Sequence, residues 1–321
     1  MKLKLATIKN PGLIFQKFSV IIILIIIVII MSFGSPRFFQ VQNFLNIIAQ
    51  SSVLGIISIG MTFVIVTAGI DLSVGSIMAL SGSIIAVAVT RWHFPPEFAI
   101  MFGFTIGICA GVINGLIITI GKIQPFIATL GSLTALQGTA LLITRGYPIV
   151  GIPEKMLILG SMKAGIIPPS FYVVATVAIL GWIIFNRMVL GRNAMAIGGN
   201  EEASKTAGIK VVLTKVIVYG ISGLCCSIAG IVLMGRLGSS NALMGSGLEL
   251  QAITAVALGG TSMAGGMGTI GGTIIGVLTI GVLNNGLDLM NVTPFWQKVI
   301  LGIIIIMVVL MDSWRRRRFN D

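Results

Sequence analysis

Three carboxylates, Asp71, Glu249 and Asp288, lie within or beside long apolar stretches of this sequence. An acid at the centre of a bilayer costs roughly 2.5–3.5 kcal/mol on insertion scales, so each is a functional candidate if those stretches are membrane spans. Asp71 precedes Ser73 and Ser76 in Gly69-Ile-Asp-Leu-Ser-Val-Gly-Ser76. Asp at a helix start satisfies free N–H groups, so capping of the next span is favoured over ligand contact. Glu249 heads a later stretch in the same manner, and Asp288 follows Asn284 and Asn285 at the polar end of another. Few other residues could do chemistry. His93, the one histidine, stands between Trp92 and Phe94 with Pro95 following, and reads as an interfacial residue. Cys109, Cys225 and Cys226 lie in apolar stretches and form no C-x-x-C pair, so neither a disulfide framework nor a metal site is supported. A membrane-embedded enzyme would need clustered His, Cys or carboxylates. The nearest thing to a phosphate loop, Gly115-Leu-Ile-Ile-Thr-Ile-Gly-Lys-Ile123, has five residues between its glycines and Ile123 where a Mg²⁺-ligating hydroxyl belongs. Energy for any active process must come from another polypeptide or from an ion gradient.

The elements that would position these residues follow from composition. Of 321 residues 56% are hydrophobic and 9% charged, against roughly 25% charged in a soluble domain. Stretches free of Asp, Glu, Lys and Arg run over 18–36, 38–70, 72–90, 98–121, 123–144, 164–186, 216–235, 250–287 and 299–311. Most match the roughly 20 residues that one helical span requires. Val20 to Met31 is an unbroken aliphatic or Met run without a small-residue cleavage site after it, so it reads as an uncleaved first span. The net charge of +12 flanks spans and is not gathered on a soluble body, which argues for membrane orientation and against nucleic acid.

Topology follows from the basic residues. Lys2, Lys4, Lys9 and Lys17 precede the first span; Arg187, Arg192, Lys205, Lys210 and Lys215 cluster in or beside 187–215; Arg315 to Arg318 lie in the tail. All three regions are expected in the cytoplasm. The opposite side would carry Arg37, Arg91, Glu97, Arg145, Glu154, Lys155, Lys163 and Arg236. Cytoplasmic termini require an even number of spans. Ten satisfy the pattern: 18–34, 47–68, 73–90, 98–120, 123–144, 170–186, 214–235, 249–262, 269–287 and 295–311. The expected fold is thus all-α, a polytopic transmembrane helical bundle forming one domain over 1–321, with a cytoplasmic loop at 187–213.

Two places break the pattern. Seven glycines occupy the fourteen residues from Gly259 to Gly272, which predicts a broken or re-entrant segment. Non-helical backbone at membrane depth must be buried in protein or line a wet cavity. The second break is Gly69–Ser76. Interruptions in both halves suit a transporter built from structural repeats, although no repeat is visible as sequence identity. Gly55, Gly60, Gly107, Gly111 and Gly115 are instead expected to permit close helix packing.

In the cytoplasmic loop, Asn200 is a good N-cap, Glu201 and Glu202 complement a helix dipole, and Gly208 is a good terminator. A short helix of about two turns is predicted. The run Glu202-Ala203-Ser204-Lys-Thr-Ala-Gly208 resembles the E-A-A-x-x-x-G coupling loop of ABC importer permeases, with Ser204 in place of the second Ala. Ala196-Ile-Gly-Gly-Asn-Glu-Glu-Ala203, Gly69-Ile-Asp-Leu-Ser-Val-Gly-Ser76, Lys122-Ile-Gln-Pro-Phe-Ile-Ala-Thr-Leu130, Leu258-Gly-Gly-Thr-Ser262, Ala264-Gly-Gly266 and Asn284-Asn-Gly-Leu287 are similar to its monosaccharide, ribose-type branch.

That resemblance implies a plasma-membrane permease subunit, multi-pass in the bilayer. It would pair with a second permease chain, identical or not, bind cytoplasmic ATP-binding subunits and receive sugar from an extracytoplasmic binding protein. Glu202, Ala203 and Gly208, within Asn200, Glu201, Glu202, Ala203, Ser204 and Gly208, would seat in the ATPase. ATP and Mg²⁺ would be bound by that partner, with no cofactor in this chain. A sugar pathway needs amides and hydroxyls that exchange hydrogen bonds. The residues to examine are Gln50, Asp71, Ser73, Gln124, Gln137, Glu249, Gln251, Thr254, Asn284, Asn285 and Asp288. The competing reading is a secondary sugar transporter or facilitator without an ATPase. It would need an ion-binding constellation at mid-depth, whereas the candidate acids stand near predicted span ends.

Overall fold

The computed structural model describes residues 11–161 and 167–320. Among them are thirteen helices: α1 (Pro11–Gly34), α2 (Val41–Val66), α3 (Val74–Thr90), α4 (Pro96–Thr119), α5 (Pro125–Thr144), α6 (Glu154–Leu157), α7 (Pro169–Arg187), α8 (Val189–Gly199), α9 (Glu201–Thr206), α10 (Val211–Leu237), α11 (Leu248–Leu258), α12 (Ile270–Leu289) and α13 (Pro294–Asn320). One isolated antiparallel bridge ties Ile149 to Ser240. Lys2, Lys4, Lys9 and Lys163, used above for orientation, lie outside the described residues, as do the side chains of Lys17 and Arg315 to Arg318.

Proline sets several helix starts. Pro96, Pro125 and Pro169 each open a helix, where the missing N–H has no intrahelical partner to lose and φ is already suitable. The preceding residues Pro95, Gln124 and Pro168 have ψ of 140°, 134° and 134°, the extended geometry that a following proline imposes. At the other end, Arg145 and Gly238 stop α5 and α10 in the left-handed region, with φ of 58° and 67°.

Six helices, α2, α4, α5, α7, α10 and α12, are long and apolar enough to cross a membrane, while α3, α11 and the apolar parts of α1 and α13 are shorter. The ten expected segments are all apolar and helical, but among the described residues six helices, and not ten, are long and apolar enough to cross a membrane. The third is short because residues 67–73 leave helical geometry before it. The eighth is short because 238–247 do so before α11 and 259–269 after it. The Gly-rich break is thus a loop between α11 and α12.

α2 is the central post, its apolar window 89% buried, whereas those of α5 and α7 are 17% buried. Large apolar side chains such as Leu142, Phe126, Ile179 and Ile306 face outward. An exterior of this kind is stable in hydrocarbon, where helix association relies on packing and not on water exclusion.

Glycines let the inner helices touch. Gly107 backs onto Gly223 and Ser227, Gly111 onto Tyr219, and Gly115 onto Val216, so α4 and α10 pack antiparallel with almost no side-chain layer between them. α2 and α12 are antiparallel too, through Asn43 with Asn285, Ser51 with Gly281, and Thr62 with Thr273. These pairings fall into a pattern. α2, an irregular segment, α3, α4 and α5 are followed later by α10, an irregular segment, α11, α12 and α13. α2 packs on α12 as α10 packs on α4, and α2 meets α10. Gly60 faces Ser222 and Cys225, while Gly69, folded back on Val64, reaches Tyr219, so α2 and α10 run antiparallel. The two halves have the arrangement of inverted structural repeats.

Candidate functional site

After Val66 the chain folds back into the bundle. Ala68 takes φ of 59°, Gly69 presses on Val64 and Tyr219, and Asp71 arrives fully buried. Its Oδ1 accepts from the Ser73 N–H at 3.0 Å and the Ser73 hydroxyl at 2.6 Å, and its Oδ2 from the Ser222 hydroxyl at 3.3 Å. The capping expectation is corrected in detail. Asp71 takes the N–H of the residue just before α3, and Ser73, the N-cap, makes no side-chain cap bond.

The network extends further. Asn114 of α4 donates to the Ser73 hydroxyl at 2.8 Å and accepts from Ser132 of α5. The Ile70 carbonyl accepts from Thr129 and Tyr219, each at 3.3 Å. One break thereby gathers α3, α4, α5 and α10. Ser222 lies near the middle of α10, so Asp71 sits at mid-helix level and not at a span end. Asn114, Thr129, Ser132, Tyr219 and Ser222 were missed in the sequence reading. The available signal was an amide, Asn114, inside the charge-free stretch 98–121, where an unpaired polar group is costly.

The irregular segment 238–247, which leads into α11, meets the break at Gly69–Ser76. Gly75, in the first turn of α3, lies against the Gly245 carbonyl and the Glu249 carboxylate with no room for a Cβ. Glu249, at the second position of α11, accepts from the Gly247 N–H at 3.1 Å, with Gly247 at φ of 88°. Two short helices therefore begin beside one another, each with a carboxylate at its N-terminal end. Their macrodipoles would otherwise set two partial positive charges together in a low-dielectric interior, and an acid at each offsets that repulsion.

The remaining proposed pathway residues do not converge on one site. Gln251 and Asn284 form a pair at 3.3 Å between α11 and α12. Asn285 is buried and donates to Asn43 at 2.9 Å, which ties α12 to α2. Asp288 is exposed and accepts from Gln297 at 2.7 Å. Thr254 is buried and donates back to the Leu250 carbonyl at 2.6 Å. Gln50 is half-buried on α2, Gln137 half-buried on α5, and Gln124 exposed before α5.

The loop over 187–213 forms two helices where one was expected. α8 turns Ala194 and Ile197 inward, and its Gly198 lies directly on the Val66 carbonyl and the Gly266 N–H. The same carbonyl accepts from Gly266 at 2.9 Å. α8 is thus wedged against the end of α2 and the Gly-rich loop, one turn of chain from Asp71. α9 follows, and the Asn200 side chain accepts from Ala203 N–H at 2.9 Å. Gly208, at φ of 82°, donates to Lys205, and Ile209 donates to Ser204, a left-handed close to the helix.

Glu201 is held by Lys215 at 2.6 Å and Lys205 at 3.2 Å. The Lys215 hydrogen bond lowers its carboxyl below the ordinary value. Lys205, bonded to Glu202 and Glu201, has its ammonium raised. Glu202, Ala203 and Thr206 remain exposed. Ser204, expected among the docking residues, is buried instead and donates to the Asn200 carbonyl at 2.8 Å. That position stabilises the turn and is not part of the outward surface.

A helical bundle with an apolar exterior, halves of inverted arrangement and irregular segments meeting inside has the build of a membrane permease. The chain belongs to the family described as branched-chain amino acid transport system / permease component, whose model matches residues 43–309. It is similar to the ribose import permease protein RbsC of Bacillus subtilis (strain 168), 45% identical over 302 residues that cover 93% of each chain. The ribose import permease protein RbsC of Escherichia coli (strain K12) is 40% identical, over 88% of this chain and 89% of that one. The D-allose transport system permease protein AlsC of the same organism is 38% identical, over 94% and 93%. No solved structure matches significantly.

Proposed function

We propose that this chain is the membrane-spanning subunit of an ATP-driven importer for ribose or a closely similar monosaccharide. The observation that carries the proposal is α9. A six-residue helix closed by Asn200 and Gly208 presents Glu202, Ala203 and Thr206 outward, and α8 connects it rigidly to both internal breaks. Similarity to sugar import permeases over nine-tenths of the chain supports the substrate class.

In this reading all ten apolar helices cross or enter the bilayer, both termini and α8–α9 lie in the cytoplasm, and the chain works in a plasma membrane beside a second permease chain. A cytoplasmic ATP-binding subunit holds ATP and Mg²⁺ and grips α9 through Glu202, Ala203 and Gly208. An extracytoplasmic binding protein delivers the sugar.

The movement of α9 then passes through Gly198 to Val66 and Gly266, and from there to the segment that carries Asp71. The buried hydroxyl and amide network around Asp71 is the element that rearranges in this reading. Sugar passage past Gln251 and Asn284 would use the same exchangeable chemistry.

The test is affinity purification from the native membrane followed by ribose uptake into vesicles. An ATPase is expected to co-purify in stoichiometric amount, and Glu202→Lys is expected to release it while the permease stays inserted. Normal ATPase retention and uptake in that variant would defeat the assignment of α9. Ribose flux by the isolated chain without ATP would defeat the importer reading as a whole.

A further inference from the structure

Two adjoining cavities lie where α4, α5 and α10 meet the α9 end of the molecule. One, of about 370 Å³, is a trough walled by Leu116, Val212, Leu213 and Val216, with Lys210 at its mouth. The other, of about 590 Å³, shares Val211 and Val212 with it and is lined by Lys122, Lys205 and Lys215, with Glu201 as its one carboxylate. Three lysines around one acid leave an excess of positive charge. Lys215 is engaged with Glu201 and Lys205 with both Glu201 and Glu202, whereas Lys122 and Lys210 form no ion pair among the described residues and carry the excess. The trough beside this charge is made of apolar side chains on two helices that read as membrane spans, with Leu116, Val212 and Leu213 exposed and Val216 half-buried.

We infer that these joined cavities form a site for one anionic phospholipid, its phosphate held among Lys122, Lys210 and Lys215 and an acyl chain lying in the α4–α10 trough. Charge complementarity selects the headgroup. The continuity of the apolar trough with the basic cavity selects a lipid over a free anion, because a soluble phosphate would leave the trough unfilled. The site rests on the proposed orientation, which brings the lysines to the cytoplasmic leaflet. There a lysine near the surface contributes about 1 kcal/mol to attraction of anionic lipid. Glu201 links α9 to this cavity through Lys215, so a lipid here would share a lysine with the element that holds α9 in place.

The experiment uses the full chain purified in neutral detergent and titrated with phosphatidylglycerol, phosphatidylcholine or glycerol phosphate, with bound species counted by native mass spectrometry. Phosphatidylglycerol is expected to be retained, and neither phosphatidylcholine nor glycerol phosphate. Lys122→Gln with Lys210→Gln is expected to weaken retention roughly thirtyfold, about fivefold per lysine. Leu116→Trp, which fills the trough and leaves every lysine in place, is expected to lower it independently, with gel filtration confirming that each variant is folded.

Wild-type retention in the double-lysine variant overturns the site. Equal retention of phosphatidylcholine overturns its charge selectivity, and capture of glycerol phosphate overturns the lipid in favour of a free anion. None of these variants alters Glu202, Ala203 or Gly208, so ATPase co-purification reports on the proposed function separately. Co-purified ATPase with lipid retention unchanged in the double-lysine variant defeats the lipid site alone, whereas lysine-dependent lipid retention by a chain that brings down no ATPase defeats the proposed function alone.

Discussion

At the scale of the residue, Asp71 carries the most structure. It is a fully buried carboxylate that accepts from three donors belonging to Ser73 and Ser222. Removing it leaves those donors without an acceptor in a place water does not reach. Asp71→Ala should therefore cost about 3 kcal/mol and Ser222→Ala about 1 kcal/mol, and the double variant should lose less than their sum. Thermal unfolding in detergent measures all three. Glu201 gives a prediction of a different kind. Its carboxyl is lowered in the folded protein, first by the Lys215 hydrogen bond. Its contribution is complete above the ordinary carboxylate value and is lost as pH falls through the depressed native one. A spin label at position 206 should gain mobility in that acidic window. Glu201→Gln should be equally mobile at neutral pH and show no further change. A label as immobile in Glu201→Gln as in the parent protein would remove the ion pair from the account.

At the scale of the element, the contacts that matter are between backbones. Gly198 lies on Val66, and Gly223 on Gly107, leaving no room for a side chain at either. Gly223→Val should push α10 from α4 and destabilise the fold by about 1–3 kcal/mol, the usual cost of overpacking. Gly198→Val acts outside that core. It should leave the bundle folded and the ATPase bound through α9, while ATP-driven uptake falls roughly tenfold or more because the wedge between α8 and α2 is opened. Retained ATPase with normal uptake would show that force does not pass through this contact.

At the scale of the whole molecule, the inverted arrangement makes a topological prediction. α2 and α10 run antiparallel, each leading to a broken segment and a short helix, and the two short helices start side by side. Single cysteines at Tyr147 and Thr206, both exposed, should label from opposite faces of a sealed membrane once the natural cysteines are replaced. Labelling of both from one face would overturn the proposed orientation. The reading of α9 as an ATPase contact would fall with it.

Ten apolar segments, the two interruptions and the capped acidic helix were legible in the sequence because each depends on local chemistry: runs of apolar residues, glycine clusters, and Asn and Gly at the ends of a short helix. The α9 boundaries, Asn200 to Gly208, follow from caps that work within a few residues. What the chain does with its interruptions depended on partners distant in sequence. Nothing near Asp71 announces Ser222 or Asn114, and nothing near Gly75 announces Glu249. The pathway list was drawn from residue type alone and scattered across the bundle for the same reason. An amide or hydroxyl in a span is equally suited to tie two helices, as Asn285 does with Asn43, or to face a passage. The second helix α8 likewise follows from packing against α2 and the Gly-rich loop, and the burial of Ser204 from α9 lying against α8 and α10. The sequence by itself determined which segments are apolar and helical and which one forms a short capped helix between them. Only the tertiary structure decided that the irregular segments before α3 and α11 meet and that α8 bears on the end of α2 and the Gly-rich loop, because backbone approach through glycine has no local signature.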